Sequence, residues 1–212
     1  MDVTLTVAIL GAVVTALGWL ITHILSISAE RRRQRLIAQL EYTKQQLEEL
    51  YGPIAFLILE GQQTFRDLFA AQGWEVPLPL DKELSKQESQ IWFFWVEHDF
   101  FPRNKKIQEL LSSKTHLIEG ERVPESFLTF LDHYNSWYIN HLRWQEQGIE
   151  YGWHSKIGWP NSFDDDILST FRKLKKRHAI LIGMIVEARS FRFQVWRKIP
   201  QKQIDQEASR HT

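Results

Sequence analysis

His98, His133, His141 and His154 stand among carboxylates and aromatic rings, and imidazoles in that company are the raw material of metal sites and of acid–base pairs. Glu97, His98 and Asp99 are consecutive and form a candidate acidic pocket. His133 and His141 are eight residues apart with Trp137 between them, which puts both roughly on one face of a helix. The spacings match no standard ligand motif, and the Glu-x-x-His pattern of helical di-iron proteins is absent. A P-loop, a Rossmann glycine signature, HExxH and a GxSxG elbow are absent as well. With no cysteine, disulfides, iron–sulfur clusters, thiol nucleophiles and Cys-based zinc sites are excluded. No catalytic residue, metal ligand or cofactor is therefore assigned, and Glu97 is expected to serve a buried hydrogen bond to a neighbouring helix or to Asn104.

Two features suit binding better. Arg172, Lys173, Lys175, Lys176 and Arg177 form a basic run beside Phe171, Leu174 and Ile180, either a solvated helix face or a patch for anionic lipid or an acidic partner. Tyr151, Trp153, Trp159 and Phe163 lie in or beside a loop, where aromatics either cap a core or anchor a partner. Equal numbers of acidic and basic residues, 26 each, give no bulk attraction to nucleic acid, and none is expected as a partner.

The elements that carry these residues begin with a long apolar stretch. Residues 3–29 contain no charged side chain apart from His23, enough to cross about 30 Å of hydrocarbon at roughly 1.5 Å per residue. A cleaved signal peptide is the rival, but a cationic n-region is missing and the apolar run is too long, so a retained anchor is expected. Arg31, Arg32, Arg33 and Arg35 follow the span and only Asp2 precedes it, which by the positive-inside rule puts the N-terminus outside and the rest in the cytoplasm. The same arginines suit contact with anionic headgroups. The expected location is a bacterial inner membrane, crossed once.

Within the span, Thr4, Ala8, Gly11, Thr15, Gly18 and Thr22 are spaced 4, 3, 4, 3, 4, a small-residue face fit for close helix pairing, with a copy of itself or with another membrane protein. Leu36, Leu40, Thr43, Leu47, Leu50 and Ile54 repeat that spacing, either as a coiled-coil stalk or as the first helix of an intramolecular bundle. Gly52 and Pro53 then predict a kink, or a stop and restart, with a hinge as the functional alternative.

Beyond residue 53 the periodicity is helical throughout. Ile54, Leu57, Ile58, Gly61, Phe65, Leu68 and Phe69 form a stripe ending near Gly73; Pro77, Pro79 and Asp81 mark a loop, with Asp81 able to cap the next helix. "IWFFWV" is apolar all round and is expected to be buried; Pro102 is expected to break its helix, and Gly120 to end the following one. Pro124 opens a helix that runs to Gly148, and Ser162 caps a last one reaching Arg197, its start complemented by Asp164, Asp165 and Asp166. The class is all-α: a transmembrane anchor (1–29), a helical stalk (30–52), a cytoplasmic helical bundle (53–199) and a polar tail (200–212).

The order of "ELYGPI", "WVEHDFFPRN", "HLIEGERVPESF", "LDHYNSW", "RWQEQG" and "FRKLKKRHAILIG" resembles a broad bacterial family of small single-pass membrane proteins. Phe101 stands where that family often has methionine, and Gly148-Ile149 where it often has Gly-Asp. The resemblance implies membrane attachment and a helical head, and transfers no catalytic residue. The expected function is a membrane-anchored, self-associating scaffold, sensor or accessory subunit without catalysis. The alternatives are a homo-oligomeric channel lined by Thr4, Thr15 and Thr22, and a His-dependent metalloprotein.

Overall fold

In a computed structural model the protein is all-α, with a long N-terminal helix followed by further helices and no strand among the described residues. The structure describes residues 3–74, 84–150 and 158–197, the side chains of 3–6, 8 and 188–197 excepted. Pro77, Pro79, Asp81, Tyr151, Trp153, His154 and the tail lie outside the described residues. Helix α1 spans Val3–Gln45, α2 Gly52–Gln72, α3 Lys86–Trp95, α4 Phe101–Ser113, α5 Glu125–Gln147 and α6 Asn161–Arg197. Tyr42–Arg177 forms one compact unit, apart from a second composed of Met1–Glu41 and His178–Thr212.

Neither proline breaks its helix. A π-helical turn, Gln46–Tyr51, joins α1 to α2, and another, Val96–Phe100, joins α3 to α4. The N–H of Gly52 donates to Leu47 O and that of Phe101 to Val96 O, five residues back in each case. Pro53 and Pro102 follow directly. An α-helical turn would press the proline ring against the carbonyl four residues back, and the wider turn opens the space that the ring needs. The stop and restart considered at Gly52 and Pro53 and the expected break at Pro102 are thus replaced by continuous helices, each carrying one over-wide turn.

Other boundaries follow local chemistry. Ser85, not Asp81, is the described cap of α3: its hydroxyl accepts from the Glu88 N–H at 3.3 Å, while the Glu88 carboxylate accepts from the Ser85 N–H at 2.8 Å. Gly73 and Gly148, at φ 64° and 66°, close α2 and α5 in the left-handed conformation. Helix α4 ends at Ser113, well before Gly120, and a 3-10 turn, Thr115–Leu117, leads into the loop. Pro124 is the N-cap of α5, and Ser162 lies inside the first turn of α6.

The core of the larger unit is built from Tyr51, Ile54, Phe69, Ile107, Phe127, Phe130, Phe163, Ile167 and Leu174, all fully buried. Trp92, Val96 and Phe100 recur at helical spacing on the buried face of α3 and its π turn. "IWFFWV" is therefore buried on one face and not all round, since Phe94 is 58% exposed and stacks on His98 at 4.4 Å. Phe101 meets the Trp137 ring at 4.9 Å, and Phe130 stacks on Phe163 at 4.5 Å.

Candidate functional site

The densest polar cluster is a clasp around Glu119, in the loop between α4 and α5. The first π turn presents Gln46 and Tyr51 to that loop. Gln46, fully buried, donates from Nε2 to Leu117 O at 3.0 Å and to Glu119 Oε2 at 3.1 Å. The Glu119 N–H donates to Tyr51 Oη at 2.9 Å, and Tyr42 Oη donates to His116 O at 3.0 Å. From α6, Arg177 grips the Glu119 carboxylate with both terminal nitrogens, at 2.7 and 3.2 Å, and Lys173 adds a contact at 3.3 Å. The bonds from Arg177 hold Glu119 at about 2, with Gln46 and Lys173 helping against the opposing effect of burial. Burial pushes the Tyr51 phenol up, so it stays protonated. Lys114 pairs with Glu49 at 2.6 Å beside the same π turn and lowers its carboxyl.

The second π turn carries two further pairs. Glu97 Oε1 faces His141 Nε2 at 3.2 Å and accepts from Gln145 Nε2 at 2.9 Å, both on α5. Burial lowers the His141 pKa, opposed by the charge of Glu97 and its hydrogen bond. Of the two roles expected for Glu97, the bond to a neighbouring helix is the one formed. Asp99 pairs with Arg103, which is buried, donates to Thr64 Oγ1 at 2.9 Å and lies over Gly61. A carboxylate–imidazole pair is the hardware of general acid–base catalysis, and here it lies beside the Phe93 and Trp144 rings. An open, mainly apolar groove of about 520 Å³ lies between α2 and α4, lined by Pro53, Phe56, Leu57 and Leu110.

Among the described residues, the histidines do not converge. His133 is buried against Trp137 and Trp159, at 5.6 and 5.5 Å. His98 is exposed, with Nδ1 2.9 Å from Phe94 O, and eight helical residues place His133 about 12 Å along the axis from His141. Among the described residues no three His, Asp or Glu side chains are grouped to hold a metal ion. Trp159 and Phe163 cap the core: Trp159 Nε1 donates to Asp164 Oδ1 at 3.0 Å and its ring meets Phe130 at 5.6 Å. Burial raises the Asp164 carboxyl, against hydrogen bonds from Gln62 and Trp159.

The residues expected to serve binding are distributed along α1, the first π turn and α6. Gly11, Thr15, Gly18 and Thr22 are exposed, whereas the side chains of Thr4 and Ala8 lie outside the described ones. Thr15 and Thr22 donate to Gly11 O and Gly18 O, each at 2.8 Å. On the stalk seam Leu36 and Leu40 are half-buried, while Thr43 and Leu50 are buried and Leu47 packs against the core of the larger unit. The bundle alternative thus describes Thr43, Leu47 and Leu50. Arg31, Arg32 and Arg35 are exposed, and Arg33 lies 3.5 Å from Glu30. The basic run divides: Lys173 and Arg177 serve the clasp, while Arg172, Lys175 and Lys176 are exposed, with Lys175 over the Phe171 ring at 5.5 Å.

The clasp was not anticipated. Its only sequence signal is the pair of cations at 173 and 177, four residues apart and so on one helical face. No family profile, curated protein or solved structure matches the chain.

Proposed function

We propose that the protein is a membrane-tethered helical scaffold, sensor or accessory subunit, anchored by α1 and self-associating through it, that performs no catalysis. One observation carries the reading. Every described side chain of residues 9–29 is exposed, and this stretch belongs to a helix long and apolar enough to cross a membrane. An apolar helix exposed all round calls for hydrocarbon as its solvent. The arginines at 31–35 favour a cytoplasmic head in a bacterial inner membrane. The hydroxyls of Thr15 and Thr22 are satisfied by their own helix, so the face they share with Gly11 and Gly18 can enter hydrocarbon and pair closely with a second copy. The non-catalytic part draws on the carboxylates of the larger unit: Glu49, Glu97, Asp99 and Glu119 are each engaged by a basic or imidazole partner.

The chain lacks cysteine, so single cysteines report without background. D2C and S113C variants in intact spheroplasts, treated with a membrane-impermeant maleimide, should label only at position 2. Labelling at 113 alone would reverse the topology, and release of the protein by alkaline carbonate would remove the anchor. Native mass spectrometry of the gently solubilised chain should give a homo-oligomer; a monomer without co-purifying protein refutes the scaffold.

A further inference from the structure

Residues 179–186 of α6 read Ala-Ile-Leu-Ile-Gly-Met-Ile-Val, with no polar side chain. Ile180, Ile182, Met184 and Val186 are 49, 43, 48 and 58% exposed, while Leu181 is buried. At about 100° per residue these four point to different sides, so the apolar surface wraps most of the helix. Eight residues rise only about 12 Å, far short of the roughly 30 Å needed to cross hydrocarbon. Charge identifies what covers the segment. Exposed Arg172, Lys175 and Lys176 precede it on the same helix, Arg189, Arg192 and Arg197 follow in sequence, and Glu187 is the one acid between residues 167 and 197. Phe191, Phe193 and Trp196 lie among the following arginines. Six cations on one helix repel the same helix of a second copy, whereas an anionic surface offers both a counter-charge and an apolar layer beneath it.

We propose that the second half of α6 is a second membrane attachment, with residues 179–186 lying in the headgroup-to-acyl boundary of an anionic bilayer and the exposed Arg172, Lys175 and Lys176 on its phosphates. The inference rests on the bilayer reading of α1. A cation near an anionic surface multiplies partitioning about fivefold, so three acting together contribute on the order of a hundredfold.

The test uses the full chain in nanodiscs, with a nitroxide on I182C or, separately, on V13C in the span. Collision with oxygen reports immersion in lipid, and collision with a water-soluble nickel chelate reports exposure to water. In phosphatidylserine-rich discs the 182 label should be oxygen-accessible and nickel-protected. In pure phosphatidylcholine, or at high salt, it should turn aqueous. An aqueous 182 label in both lipids overturns the second attachment. So does a label protected equally in both lipids and in detergent with spin–spin broadening, since a second copy then covers the segment. The V13C label separates the failures: immersed at 13 and aqueous at 182 removes only this inference, whereas an aqueous 13 removes the anchor itself.

Discussion

Replacing Glu119 by glutamine keeps the shape of the clasp and removes its charge. In the folded chain the carboxyl titrates at about 2 against an ordinary 4.5, a difference worth roughly 3 kcal/mol if it passed wholly into stability. Lys173 and Arg177 are 62 and 40% exposed, so water and salt screen part of it, and about 2 kcal/mol is the expected loss. For a chain of this size that lowers Tm by roughly 4–8 °C. The sign of the pH dependence is fixed. A carboxyl with a depressed folded pKa stabilises fully above its unfolded value, and the contribution drains away as pH falls from about 5 to 2. The measurement is urea unfolding of the full chain in mild detergent, followed by tryptophan fluorescence across that range. E119Q should lose stability at neutral pH and flatten the acid limb, and adding Arg177→Met should then cost little more. An E119Q midpoint within about 0.5 kcal/mol of the parent, with an unchanged acid limb, refutes the clasp.

Gly52→Ala puts a Cβ against the backbone oxygen of Leu47, which cannot move without rewinding the π turn; urea unfolding should show a loss of about 2 kcal/mol despite alanine's better helix propensity. Gly61→Ala meets the Arg103 side chain at 2.9 Å, and because Asp99 and Thr64 pin that side chain the same assay should show a loss of about 1 kcal/mol. Burial lowers the His141 pKa in the folded chain, so its contribution is full above about 6.5 and is lost as pH falls below that; His141→Gln should flatten the urea midpoint between about pH 7 and 5. Gly11→Ile with Gly18→Ile should convert the oligomer to monomer in native mass spectrometry while leaving carbonate-resistant membrane attachment intact.

The helices were legible because their signals are local. Gly73 and Gly148 end their helices as left-handed caps, and Val3–Gln45 follows from an uncharged run joined to a polar helical repeat. The treatment of proline was not legible. Pro53 and Pro102 carry the usual sign of a break, and only tertiary packing selects the π turn: Leu50, Tyr51, Val96 and Phe100 are all buried, so a break there would turn core side chains outward. "IWFFWV" misled because composition cannot say how many sides of a helix are covered. Glu119 was hidden for a different reason: its partners lie 54 to 73 residues away, and no local spacing reports a contact of that separation.

The clasp also bears on how the larger unit holds its two ends. That unit begins at Tyr42 and closes at Arg177, and both residues bond to the short segment 116–119. Gln46 and Tyr51, within three helical turns of Tyr42, bond to the same segment. A one-residue rotation of α1 and the π turn that continues it, roughly 100°, would carry Tyr42 and Gln46 off their acceptors together. A comparable rotation of α6 would break the fork between Arg177 and Glu119 and leave a half-buried carboxylate without its strongest partner. Rotation of either helix is therefore resisted by the same few atoms. The bundle gains from this a fixed register between its entering and leaving helices. Gln46 supplies the directional part of that restraint, because one amide nitrogen serves both a backbone oxygen and the carboxylate. Gln46→Leu preserves the burial and removes both bonds, so it tests register apart from charge: amide exchange should accelerate in segment 116–119 while the pairing of Arg177 with Glu119 persists.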